Sequence, residues 1–285
     1  VDFNGKQIDT ESISYSFPKR QEVFDFVKAR LPSILKRNKL NKDQVTGLGL
    51  ARPNRIWEWV EFANAPEGAM EDWKDLDIEN AFAELTGLSI VLENDVTAAC
   101  VAEQLLGRGH ELHDFAYFFL GSFVGGGLVL NGKVVSGRTH NAAALGPLPV
   151  PDGTGGTVQL LDVASLHVLE SALHRAGQNS EVLRQQDVSW DAFEPLLSEW
   201  IEKTGHNLAI ACAAITSVVE VEAILVEGAF PEAVRDRLTE KIRDAFSRLD
   251  VTGIEKPVIE NATVGPQARS IGAALLPIHA NFFVA

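Results

Sequence analysis

Leu92-Glu93-Asn94-Asp95-Val96-Thr97-Ala98-Ala99, then Phe115-Ala116-Tyr117-Phe118-Phe119-Leu120, then Gly121-Ser122-Phe123-Val124-Gly125-Gly126-Gly127, is the stretch that decides the fold. The first part ends an apolar run and opens an alanine-rich helix, so Asn94 and Asp95 stand at a strand-to-helix junction. The second is an aromatic strand. The third is a glycine loop between strands, a backbone that can approach a phosphate or a sugar because no side chains intrude. A carboxylate at such a junction, with a glycine turn beyond it, points to a small-molecule site.

Upstream, strands alternate with helices. Apolar residues at helical spacing (Val23, Phe24, Val27, Leu31, Leu35) predict a helix opened by Pro18. Residues 45–50 read as a short buried strand closed by Pro53. Asp77 or Asp75 caps a helix through Phe82 and Leu85 that stops at Gly87, and residues 89–92 form the next strand. This alternation favours a largely parallel sheet with crossover connections. At the start, Val1-Asp2-Phe3 is strand-like, Asn4-Gly5 is a hairpin turn, Lys6-Gln7-Ile8 returns, and residues 12–17 extend the small sheet. A hairpin needs a first arm, and three residues of it are here, so the chain is expected to be a piece of a longer one.

Downstream, residues 128–130 are a strand turning at Asn131-Gly132 into Lys133-Val134-Val135. Residues 140–157, rich in Gly, Pro and Ala, read as loop. Helices are expected over 163–176, 190–203 and 208–218. A strand over 223–226 ends in Gly228, and Pro231 opens a helix through Leu238, Ile242 and Phe246. A last strand covers 258–261 and an alanine-rich helix 268–278.

Composition narrows the classes. With 285 residues, 46% hydrophobic and 22% charged, the chain is long enough for one large or two ordinary domains with a sizeable core. Its net charge of −14 gives it no basic nucleic-acid footprint of its own. Cys100 and Cys212 sit in alanine-rich helical contexts and read as buried thiols, not as a disulfide or metal pair. No apolar run is long enough to cross a bilayer and there is no signal-peptide pattern, so a cytoplasmic location without membrane contact is expected.

The run Glu93-Asn94-Asp95-Val96-Thr97-Ala98-Ala99, the loop Gly121 to Gly127, the Asn131-Gly132 turn, Val226-Glu227-Gly228-Ala229-Phe230 and the closing Ser270-Ile271-Gly272-Ala273-Ala274-Leu275-Leu276 together resemble the ROK family (repressors, open reading frames, kinases). The resemblance covers nearly the whole chain in order. It implies an actin-like ATPase (ribonuclease H-like) α/β fold, with two α/β lobes and a ligand cleft between them. Residues 1–107 with 267–285 would form the N-terminal lobe with the returning C-terminal helix, and 108–266 the C-terminal lobe. Homodimers or dimers of dimers are implied as well.

By the same resemblance, Asp95 matches the kinases' general base, which must reach the sugar hydroxyl, and Asn94 would bind a neighbouring hydroxyl. Read from the residues alone, both simply cap the helix that follows. Gly121, Ser122, Gly125, Gly126 and Gly127 match a phosphate-binding turn, with Gly125 and Gly126 also near the ligand, and Gly228 ends the strand where the kinases cradle adenosine. A tight inter-strand turn accounts for the glycines equally well. Trp57, Trp59 and Trp73 can stack on a sugar or simply pack. Arg52 and Arg55 can meet an acidic ligand or be ordinary surface groups. Glu220, Glu222 and Glu227 border the Gly228 turn and would repel phosphate.

Three departures bear on activity. The kinases' Asp-x-Gly-x-Thr phosphate loop is not in this chain. Their Glu-x-Gly-His element falls at Ala144-Leu145-Gly146-Pro147, which has neither a hydroxyl acceptor nor a metal ligand. Their cysteine-rich zinc loop is replaced by Pro151-Asp152-Gly153-Thr154-Gly155-Gly156-Thr157, and His140 stands alone nearby, so no metal and no zinc are expected. The departures favour the sugar-sensing effector domain of a ROK-type transcriptional regulator, without a cofactor. Such a domain would meet operator DNA only through a winged helix-turn-helix outside this chain. The alternatives are a zinc-free sugar kinase using ATP and magnesium with Asp95 as base, and a non-catalytic interaction module.

Overall fold

The computed structural model describes residues 1–60, 65–185 and 188–282. The parts of the expected N-terminal lobe at 61–64 and 283–285 lie outside the described residues. In order, the elements begin α1 (Arg20–Arg37), β1 (Leu48–Arg52), α2 (Ile78–Thr86), β2 (Ile90–Asn94) and α3 (Asp95–Leu106). Then come β3 (Phe115–Leu120), β4 (Val124–Leu130), β5 (Lys133–Val134), β6 (Pro149–Pro151), β7 (Thr157–Gln159), α4 (Leu160–Ala164), α5 (Leu166–Arg175) and α6 (Leu196–Val218). The chain closes with β8 (Ala223–Gly228), α7 (Glu232–Ser247), β9 (Val258–Asn261) and α8 (Ala268–Phe282). Two compact units result, Val1–Val101 with Arg269–Ala285, and Ala102–Ala268.

In the first unit, β1 and β2 pair in parallel, Leu48 with Ile90 through Arg52 with Asn94. Side chains alternate along a strand. Leu48, Leu50, Ile90 and Leu92 pack on one face against Met70, Trp73, Ile78 and Phe82. On the other face Gly49 meets α8, where an added Cβ would lie 1.7 Å from the Ala273 carbonyl oxygen. α2 follows the expected capping: the Asp77 carboxylate accepts the Asn80 N–H, and Gly87 at φ +67° ends the helix.

The amino-terminal hairpin is not a hairpin. The Asn4-Gly5 turn forms, with Asp2 N–H donating to Lys6 O at 2.9 Å, but no strand is assigned within residues 1–17. Instead of a ladder, ion pairs hold the segment on α1, Asp9 and Glu11 both reaching Arg37. A lone two-stranded ribbon is marginal in water, so side-chain pairing to a helix is the stronger tether.

The second unit is built on a five-stranded sheet in the order β5-β4-β3-β8-β9. β3, β8 and β9 are parallel, and β4 and β5 add antiparallel. Every residue of β3 and β8 is buried. Asn131 and Gly132, at φ +54° and +69°, make the β4–β5 turn that their sequence predicts.

The elements differ from expectation in three places. The helix expected over 163–176 breaks at Ser165, which is extended (φ −92°, ψ 161°) and caps α5. The helices expected over 190–203 and 208–218 are one, α6, which begins at Leu196 and carries Gly205 inside it. A Cβ on Gly205 would lie 2.5 Å from Lys241 Cγ, so this glycine serves close packing and not a stop. The stretch expected as loop over 140–157 contains the β6–β7 pair, closed by Asp152, whose Oδ1 accepts the Thr154 and Gly156 N–H groups and the Thr154 hydroxyl. Cys100 and Cys212 are both buried, as their helical contexts predict. No helix among the described residues is long and apolar enough to cross a membrane.

Candidate functional site

β1 and β2 run the same way and end side by side at Arg52 and Asn94. In open parallel sheets the carboxyl ends of the strands are where ligands bind. α3 starts at once after β2, so the chain turns sharply there. Asn94 Oδ1 accepts the Val96 N–H at 2.9 Å and the Thr97 N–H at 3.2 Å, which makes Asn94 the cap of α3. Its amide nitrogen is not used by that cap. Asp95 opens the helix and its Oδ2 accepts from Arg269 Nη1 at 3.2 Å. A carboxylate has about four acceptor positions, so it can take a ligand hydroxyl beside the guanidinium. Burial pushes the Tyr15 phenol up, while the charge of Arg269 pulls it the other way.

Arg52 shares a face with Asn94. Its guanidinium carbon lies 5.9 Å from the Trp57 ring centre, its Nη1 donates to Pro53 O at 3.2 Å, and desolvation holds its pKa down. The tryptophans take the packing role. Trp57 and Trp59 are partly buried against the Met70–Phe82 cluster, and Trp73 belongs to that cluster. Trp59 Nε1 donates to Asn54 O and Trp73 Nε1 to Pro18 O. Arg55 pairs with Glu58.

The glycine stretch of the second unit is mostly strand. Gly125, Gly126 and Gly127 lie in β4, opposite Phe119, Phe118 and Tyr117, and only Gly121, Ser122 and Phe123 turn. The strand wins because the glycines leave room for a neighbour: a Cβ on Gly126 would lie 2.2 Å from Leu145 Cδ1. Leu145 thus occupies that face of Gly126. The turn aims its carbonyls at the start of α5. Gly121 O accepts Leu166 N–H, Ser122 O accepts His167 N–H, and the Ser165 hydroxyl accepts Val124 N–H. Phe123 lies against the His167 ring, centres 5.2 Å apart.

Gly228 is also engaged. Its N–H donates to Glu227 Oε1 at 3.0 Å, and the Phe230 ring lies over it. Glu227 does not border a phosphate site as an exposed acid. It is 1% exposed, pairs with Arg235 at 3.1 Å, and burial raises its pKa. Glu222 accepts the His113 and Asp114 N–H groups. The Gly228 amide is therefore taken, and Leu145 fills the side of Gly126 that lacks a side chain. Among the described residues no group of three or more His, Cys, Asp or Glu is arranged to hold a metal.

Arg269 and Ser165 escaped the sequence reading. Arg269 meets Asp95 across 174 positions, and its only signal was a cation opening the closing helix. Ser165 followed a helical pattern and gave none.

A family model described as the ROK family matches residues 1–280. The beta-glucoside kinase of Listeria innocua is 34% identical over 236 residues, 80% of this chain and 78% of the kinase. A solved ROK family glucokinase from Streptomyces griseus, in complex with glucose and AMPPNP, matches with a TM-score of 0.68 at 24% identity, covering 96% of this chain and 93% of its own. A solved ROK family transcriptional regulator, a homologue of the E. coli MLC protein, gives 0.66 at 21% identity, covering 93% and 70%. The structural likenesses carry the actin-like ATPase fold. Relatives with a named activity are mostly sugar kinases, which weighs toward a kinase more than toward a regulator. With the strand-to-helix junction at Asp95, the β3–β4 glycine turn and the closing helix all in the family's order, the chain is a member of the ROK family.

Proposed function

We propose that this chain is the sensing part of a ROK-type regulator. It binds a sugar or sugar derivative at Asn94 and Asp95 and signals that binding without transferring a phosphoryl group. One observation carries the reading. The positions that the resemblance gives to the sugar-holding Glu and His are Ala144 and Pro147, and Leu145 between them packs on Gly126. Phosphoryl transfer is mostly positioning and electrostatics, and a misplaced hydroxyl loses much of the rate. A sensor needs only a ligand with different affinity for two states. Operator DNA would be reached through a DNA-binding part outside these residues, and the protein would act as a cytoplasmic homodimer or dimer of dimers.

The second reading, a zinc-free sugar kinase, is favoured by the relatives, and on that ground it is the better supported of the two. In it Asp95 would accept the proton of the attacking sugar hydroxyl. Coupled detection of ADP release, run with a panel of hexoses, separates the readings. The sensor reading expects no sugar-dependent release, a rise in melting temperature with a bound sugar, and loss of that rise in Asp95→Asn with the fold retained. Turnover that Asp95→Asn abolishes establishes the kinase. Neither turnover nor a shift points to an interaction module.

A further inference from the structure

We infer that the ligand of this site is an anionic sugar derivative, carrying a phosphate or a carboxylate, and that Arg52 reads its charge. The inference rests on the sugar-binding reading above and names the class of sugar.

Arg52 ends β1 and is the register partner of Asn94, so the two side chains leave the same face at the carboxyl end of the sheet. No carboxylate pairs with it among the described residues. Its Nε is buried and without a hydrogen-bond partner. Arg37, Arg108, Arg235 and Arg269, by contrast, each hold a carboxylate. A buried N–H left unsatisfied is costly, the more so on a charged group, so an arrangement that keeps one calls for an acceptor.

The neighbouring acids do not supply it. Asp95 already has a cation in Arg269. Glu93 leaves the opposite face of β2, and its Oε1 accepts the Asn94 N–H at 2.9 Å. Trp57 lies against the guanidinium, and the Pro53 carbonyl anchors one nitrogen. A guanidinium held this way offers a planar fork matched to the paired oxygens of a phosphate or carboxylate. Partial burial strengthens that contact relative to one made in water. Asn94 and Asp95 are then left to take the hydroxyls of the same ligand.

Isothermal titration of the purified chain with glucose, mannose and N-acetylglucosamine, their 6-phosphates, glucuronate and inorganic phosphate tests this. An acidic sugar should bind at least ten-fold more tightly than its neutral counterpart. Arg52→Gln, with the fold retained, should weaken acidic-sugar binding at least ten-fold and so erase that preference, and Arg52→Lys should keep part of it. A gain confined to the 6-phosphates identifies the anion as phosphate, and one confined to glucuronate as carboxylate. Equal binding of neutral and acidic sugars, unmoved by Arg52→Gln, overturns the inference and leaves the sugar-binding reading standing. Inorganic phosphate binding as well as any sugar, and lost in Arg52→Gln, keeps the anion site but overturns the sugar. No heat with any compound overturns both.

Discussion

Glu103 and Glu227 are both buried carboxylates, and their surroundings set them apart. Glu103 accepts the N–H groups of Arg108, Thr263 and Val264 and the Thr263 hydroxyl. Glu227 has the Gly228 N–H and Arg235, and burial still raises its pKa. A folded pKa above the unfolded one means that the native state holds the proton more tightly. That contribution is fully present below the unfolded pKa and is lost as pH rises through the folded value. Asp9, Asp152 and Glu194 behave oppositely, their pKa values lowered by hydrogen bonds, so their contributions fade in acid. Comparing wild type with Glu227→Gln cancels those shared terms. Urea unfolding from about pH 8 to about pH 4 should show the difference moving in the wild type's favour as pH falls. A flat difference would remove the titration from Glu227. At this scale the sequence marked Asn94 and Asp95 because strand, cap and helix are consecutive. It could not mark the Arg269 partner, or the unsatisfied nitrogen of Arg52, because both depend on elements that meet only after folding.

The elements were legible where a local rule governs them and hidden where packing overrides it. Asp77, Gly87 and Asn131-Gly132 do what capping and turn chemistry require. The glycines of β4 were read as loop and α6 as two helices with a break at 204–207, and the neighbours that Gly126 and Gly205 admit, Leu145 and Lys241, are distant in sequence. Gly272 is the sharpest example in α8. A Cβ there would lie 1.8 Å from the Ala98 carbonyl oxygen, so α8 and α3 touch backbone to backbone. Its place in Ser270-Ile271-Gly272-Ala273-Ala274 showed a family pattern but not this contact. Gly272→Ala should therefore cost at least about 1–3 kcal/mol, the usual range for overpacking, because backbone cannot swing aside. Gly153 has a positive φ of +79° with nothing near its missing Cβ, so Gly153→Ala meets backbone strain alone and should cost about 1–2 kcal/mol. An unchanged midpoint for Gly272→Ala in chemical denaturation would show that α8 can shift and that its closeness to α3 is not required.

For the whole molecule, the contrast between the two compact units decides where it opens first. In the second unit β3 and β8 are buried along their full length, and α6 alone buries eleven residues. In the first unit α1 buries none, and every residue of β1 and β2 is only partly buried. Local opening follows the amount of buried apolar contact, so the first unit should open at a lower free energy. Native-state hydrogen exchange should find the slowest amides in β3 and β8, exchanging at the global unfolding free energy, and faster ones in β1 and β2. Arg52, Asn94 and Asp95 all belong to the more weakly packed unit, so a ligand held there should slow exchange in β1, β2 and the first turn of α3 by mass action. It should leave β3 unchanged until the two classes converge. A sensor gains from that arrangement, since the element that binds is also the element whose population of open states a ligand can shift. Protection that is uniform across both sheets before any ligand is added would show one cooperative unit, and the proposed response to ligand would then have to be sought in a motion other than local opening.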